Sequence, residues 1–100
     1  MHPHDPLVEL FKSFACAVQQ GDAEAFRGLC NAEAAQDTAL FEANSHRIRS
    51  LGWHLELDAV VQEGGVAEVR FQVVQGDKDV VDRASLTCVQ DAQGWKIASM

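Results

Sequence analysis

The chain changes its hydrophobic period once, at Gly52–Trp53, and that change constrains it more than any other feature. Before it, apolar residues recur every three to four positions, the spacing of a helix face; after it they alternate, the spacing of a strand with one buried side. Leu7, Leu10, Phe11, Phe14, Ala15 and Val18 form one stripe, opened by Asp5-Pro6 and closed by Gly21. A capping carboxylate followed by Pro, with Gly just past the end, marks both ends of a helix. Asp22 opens a second, short helix with Phe26, Leu29 and Cys30 inward, weakened by Gly28. Residues 36–50 predict a third helix, capped by Asp37 or Thr38, with Leu40, Phe41, Asn44, Ile48 and Leu51 on one side and Gly52 as its stop.

From Trp53 onward, Trp53, Leu55, Leu57, Ala59 and Val61 alternate with His54, Glu56, Asp58, Val60 and Gln62. Glu63-Gly64-Gly65 turns into a strand with Ala67, Val69, Phe71 and Val73 on one face, and Gly76-Asp77-Lys78-Asp79 is the next turn. Ala84, Leu86 and Cys88 then mark a third strand. Asp91-Ala92-Gln93-Gly94 leads into a fourth, with Trp95 and Ile97 inward and Lys96 outward. Helices followed by a meander predict an α+β fold: three helices packed on one face of a curved antiparallel sheet of about four strands. Its 100 residues form a single domain able to bury about two-thirds of its extended surface. On the other sheet face, Val60, Val66, Val74 and Val89 predict a covered surface, which points to a homodimer.

The charge narrows the partners. Eight basic against fifteen acidic residues give −7, spread over both halves with no basic stripe, which excludes nucleic acid and anionic membranes as partners. No apolar run approaches the ~20 residues of a membrane helix. Cys16, Cys30 and Cys88 form no paired motif and predict free thiols in a reducing cytoplasm.

Three features in order carry a resemblance: a capped amphipathic helix ending in Gly21-Asp22, a second helix begun by Asp22-Ala23-Glu24-Ala25-Phe26, and a meander closing on Gly94-Trp95-Lys96-Ile97. The chain resembles the nuclear-transport-factor-2-like superfamily, which includes ketosteroid isomerases, scytalone dehydratase and polyketide cyclases. The resemblance implies a cone of sheet and helices, often enclosing a pocket and often dimeric. It also implies where isomerase chemistry would sit. The family's oxyanion-stabilising Tyr, seven residues before the Gly of Gly-Asp, is Phe14 here, in a chain with no Tyr. The family's base Asp lies in a Pro-containing segment, whereas residues 31–45 contain no Pro. Phe14 offers no hydrogen bond to an enolate.

Few other side chains suit chemistry. His46 and Asp58 are the candidate general bases, Asp58 only if a bulge turns it inward. His2 and His4 lie on a terminal tail, and His54 on the outward strand face. Asp77, Asp79 and Asp82 read as a solvated turn, lacking the Gly and distal Glu of a calcium loop. Gly64-Gly65 joins strands and opens no helix, so it cradles no phosphate. No metal or cofactor motif emerges. The expectation is a small non-catalytic binding or interaction module. Its apolar pocket is lined by Phe14, Phe41, Trp53, Phe71 and Trp95, with Asn44 as polar contact. The alternative is an isomerase-, cyclase- or dehydratase-like enzyme acting on a small apolar substrate.

Overall fold

Residues 5–100 are described by the computed structural model; His2, His4 and the expected Asp5 carboxylate cap lie outside the described residues. In chain order they form α1 (Asp5–Gln20), α2 (Ala23–Leu29), a 3-10 turn (Ala34–Gln36), α3 (Thr38–Ser50), β1 (Trp53–Glu63), β2 (Val66–Gln75), β3 (Asp79–Asp91) and β4 (Gly94–Ser99). The strands make one antiparallel sheet in the order β1-β2-β3-β4.

The α1–α2 corner follows from two residues. Gly21 adopts φ +65°, and the Asp22 and Gly21 amides donate back to the carbonyls of Ala17 (3.0 Å) and Val18 (3.3 Å). This reversed pairing closes a helix C-terminus and needs a left-handed residue. Asp22 then caps α2, its carboxylate accepting from the Ala25 amide at 3.1 Å. After α2 the chain runs beside the sheet: Cys30 bridges Ile97 of β4, and the Asn31 amide donates to the Ile97 carbonyl at 2.9 Å.

The core lies between the helices and one sheet face. Leu7, Phe11, Phe14 and Val18 of α1 meet Val69, Phe71, Leu86, Cys88 and Ile97 of the sheet. Phe26 of α2 stacks on Phe41 of α3, with ring centroids 4.3 Å apart and planes 13° apart. Phe71 packs against both Phe11 (5.6 Å) and Phe14 (5.7 Å). Aromatic contacts of this kind add about 0.5–1.5 kcal/mol each beyond the area they bury.

Four expectations are corrected. The buried side of α3 is Phe41, Ser45 and Ile48, while Leu40 and Leu51 are about half exposed and Asn44 is exposed. The cause is Ser45: its hydroxyl donates to the Val18 carbonyl of α1, a satisfied buried polar contact that fixes the helix's rotation. Asp37 sits at the N-cap of α3 but its side chain makes no capping bond; Asn31 instead accepts from the Ala34 amide at 2.9 Å and organises the preceding turn.

In β1 the register slips between Leu57 and Ala59, leaving Asp58 as an extra residue. One added residue reverses the parity beyond it, so Val60 packs on the core and Val61 faces solvent, opposite to strict alternation. The third strand also starts earlier than its apolar pattern suggests. β3 begins at Asp79, and Asp82 pairs with Val73 instead of sitting in a turn. On the outer sheet face, Val66 is exposed and Val89 half-buried. Val74, 1% exposed yet outside the main core cluster, lies between His54 and Val80 of the neighbouring strands.

Candidate functional site

A cavity of about 210 Å³ opens between α3 and the inner sheet face. Its floor is Phe14 and Val18, one turn apart on α1; one wall is Phe41 and Ile48 of α3; the other is Leu55, Phe71, Val73 and Ala84 of the sheet. Apolar walls with few polar groups characterise small-molecule sites, although drug-sized pockets are larger, at roughly 300–1,000 Å³.

The polar side chains among the lining residues are Asn44, Arg47, Asp82 and Ser85. Arg47 lies over the indole of Trp53, its guanidinium carbon 5.4 Å from the ring centroid. That contact restrains a long side chain without consuming its N–H donors. Asp82, on β3, accepts at 2.8 Å from the Arg83 amide. Leu40 and Met100 border this cavity and also an adjoining one of about 370 Å³ that reaches Phe26, Glu33 and Asp37.

Of the side chains singled out by sequence, the structure brings Phe14, Phe41, Asn44, Trp53 and Phe71 together around this cavity. Trp95 is not among them: it pairs with Gln90 near the β3–β4 turn and packs against the core there. His46 is exposed, its Nε2 3.5 Å from the Ser50 hydroxyl. Two positions beyond Asn44, it is turned about 200° around the helix from that residue. The bulge at Asp58 exists, but it does not deliver the carboxylate to the cavity. Asp58 is exposed, beside Glu68, Arg70 and Arg83 in a shallow depression of the outer face. His54 pairs with Glu56 at 2.8 Å on that same face.

The residues that sequence reasoning passed over are Arg47 and Asp82. Hairpin arithmetic gives no signal for Asp82: with β2 running to Gln75 and a turn at 76–78, regular pairing sets 79–81 against 75–73, and only the extra residue at Val81 brings Asp82 opposite Val73. For Arg47 the only signal is its position three residues beyond Asn44.

The thiols are buried or isolated. Burial pushes the Cys30 and Cys88 thiols from 9.0 up to about 11; Lys96 partly offsets this at Cys30, and Cys30 adds to it at Cys88. Cys16 is free and exposed. Among the described residues, no group of three His, Cys, Asp or Glu side chains is placed to hold a metal ion. Nor is any helix among them long and apolar enough to cross a membrane.

No protein-family model matches the chain. No curated protein matches it. Solved structures do. A cystatin-like-fold protein of unknown function from Nostoc punctiforme superposes with a TM-score of 0.68 at 13% identity, covering 94% of this chain and 84% of the other. A nuclear-transport-factor-2-like protein of unknown function from Shewanella baltica gives 0.67 at 12% identity, covering 96% and 88%. A Shewanella frigidimarina protein provisionally named a ketosteroid isomerase gives 0.66 at 18% identity, covering 95% and 92%. At such identities the likeness is one of fold, and function must be argued from the site.

Proposed function

We propose that this chain uses its nuclear-transport-factor-2-like fold as a small-molecule binding module, housing one apolar ligand between α3 and the sheet. The observation that carries this reading is the cavity of about 210 Å³ walled by Phe14, Phe41, Phe71 and neighbouring aliphatic residues. An apolar cavity of roughly 150 Å³ suffices for a benzene ring. Phe14, at the position of the isomerases' Tyr, is 3% exposed and supplies a hydrocarbon surface where their chemistry uses a hydroxyl. Both sequence candidates for a general base, His46 and Asp58, lie off the cavity lining. Titrating toluene into isotopically labelled protein tests the reading: the Phe14, Phe41, Phe71 and Trp53 ring signals are expected to shift together and saturate. Unmoved signals in the folded protein would overturn it.

The module works as a homodimer through the outer sheet face. Support comes from Val61 and Val66, 47% and 51% exposed there, and from the mixed charges Asp58, Glu68, Arg70 and Arg83 between the valine clusters. A face carrying both signs is compatible with its own copy across a two-fold axis. The absence of any paired cysteine motif fits a reducing cytoplasm.

One observation favours an enzyme reading. Asp82 lies along an apolar cavity, where a carboxylate would be a candidate base for an isomerase- or dehydratase-type step. Against it, Asp82 is exposed and its carboxylate already accepts from the Arg83 amide.

A further inference from the structure

We infer that the ligand is a small monocarboxylate: a single aromatic ring or a branched aliphatic body in the cavity, with its anionic end held by Arg47. The inference rests on the binding reading above and adds the chemical class.

Size sets the body. About 210 Å³ exceeds what one benzene ring needs, so a single ring or a branched aliphatic body is accommodated. Phe14, Phe41 and Phe71 offer ring faces and edges, and Val18, Ile48 and Leu55 complete an apolar sleeve.

Charge sets the head group. Arg47 is the one basic residue among those lining the cavity. Among the described residues it forms no ion pair and its guanidinium makes no hydrogen bond, in a chain of net charge −7. Arg70 pairs with Glu68 and Arg49 bonds Ser45, so acceptors are found by other arginines of this protein. The contact with the Trp53 ring, 5.4 Å from the Arg47 guanidinium carbon to the centroid, uses none of the guanidinium N–H donors. That planar fork matches the two oxygens of a carboxylate. Asp82, across the cavity on β3, opposes any second negative charge, which selects one carboxylate over two.

Three probes of nearly equal size separate the outcomes: phenylacetate, phenylacetamide and phenethylamine, titrated calorimetrically into the full chain. Phenylacetate is expected to bind about tenfold more tightly than the amide, the difference one charge-assisted contact makes at a partly hydrated rim. Its advantage shrinks as salt is added. Arg47→Gln brings phenylacetate down to the amide's affinity and leaves the amide unchanged, while Asp82→Asn tightens phenylacetate. Both side chains are exposed, so both variants fold, as thermal unfolding will show. Equal affinity for acid and amide would overturn the carboxylate inference and leave the cavity reading standing. Tightest binding of phenethylamine would also overturn it, with Asp82 as the anchor. Failure of all three to bind the folded chain, with the Trp53 indole signal unmoved, would sink the cavity reading itself.

Discussion

Gly21 and Ser45 tie α1 to α3 through one arginine. The Arg49 side chain lies directly over Gly21, so a Cβ there would sit 2.8 Å from its Nη2. Arg49 Nε also donates to the Ser45 hydroxyl at 3.2 Å, and that hydroxyl donates to the Val18 carbonyl. Gly21→Ala therefore meets two obstacles, a left-handed φ of +65° and an occupied site. The backbone penalty alone is about 1–2 kcal/mol, to be read from urea unfolding. Ser45→Ala removes one of the two donors to the Val18 carbonyl, the Gly21 amide remaining, and is expected to cost about 0.5–1.5 kcal/mol.

The thiols give a pH signature at the same scale. Cys30 and Cys88 hold their protons up to about 11 in the folded chain against 9.0 when exposed. Above 9 the unfolded state ionises first, so the folded chain loses stability as pH rises through that window. Unfolding free energy is expected to fall between pH 9 and 11, and Cys88→Ala should flatten the slope. At neutral pH, iodoacetamide is expected to label Cys16 and spare the other two.

At the scale of elements, α3 shows what hydrophobic spacing can and cannot say. Leu40 and Phe41 are adjacent apolar residues, and both stripes drawn through them are plausible helix faces. A serine decides between them, because its contact with Val18 lies 27 residues away in sequence. Phe41→Ala is expected to cost about 3–5 kcal/mol. Leu40→Ala, at a 45% exposed position, should cost under about 0.5 kcal/mol. Thermal melts of the two variants distinguish the faces.

The helix boundaries were readable because Gly21, Asp22 and Gly52 are backbone punctuation, and punctuation is local. The inner side of β2 was equally readable, since Ala67, Val69, Phe71 and Val73 alternate without interruption. The extra residues at Asp58 and Val81 were not, because nothing in a strand's own composition marks the point where its partner falls out of step. Those slips displace Val60, Val61 and Asp82 from their expected places. For the site, aromatic residues near the middle of their elements could be foreseen as cavity walls. The rim groups Arg47 and Asp82 could not, because their placement depends on the rotation of α3 and the register of β3.

For the whole molecule, the outer face is where an association would form. Val66→Glu places a charge at a half-exposed position, so the fold should survive while a sheet-to-sheet dimer is split. Light scattering should give twice the 10.9 kDa chain mass for the parent protein and the single mass for the variant. A parent protein that stays at the single mass at high concentration would remove the dimer.

The slip at Asp58 also bears on how the molecule behaves in a crowd of its own copies. β1 is an edge of the sheet, and eleven residues of extended backbone would be a long template for another chain's strand. Asp58 interrupts that template near its centre with a misfit and a charge, flanked by exposed Glu56 and Glu63. A strand arriving from another copy meets donors and acceptors that fall out of step halfway along, beside carboxylates that repel its own. Growth of one sheet onto the next is thereby disfavoured at this edge, the means by which edge strands commonly avoid pairing with another chain.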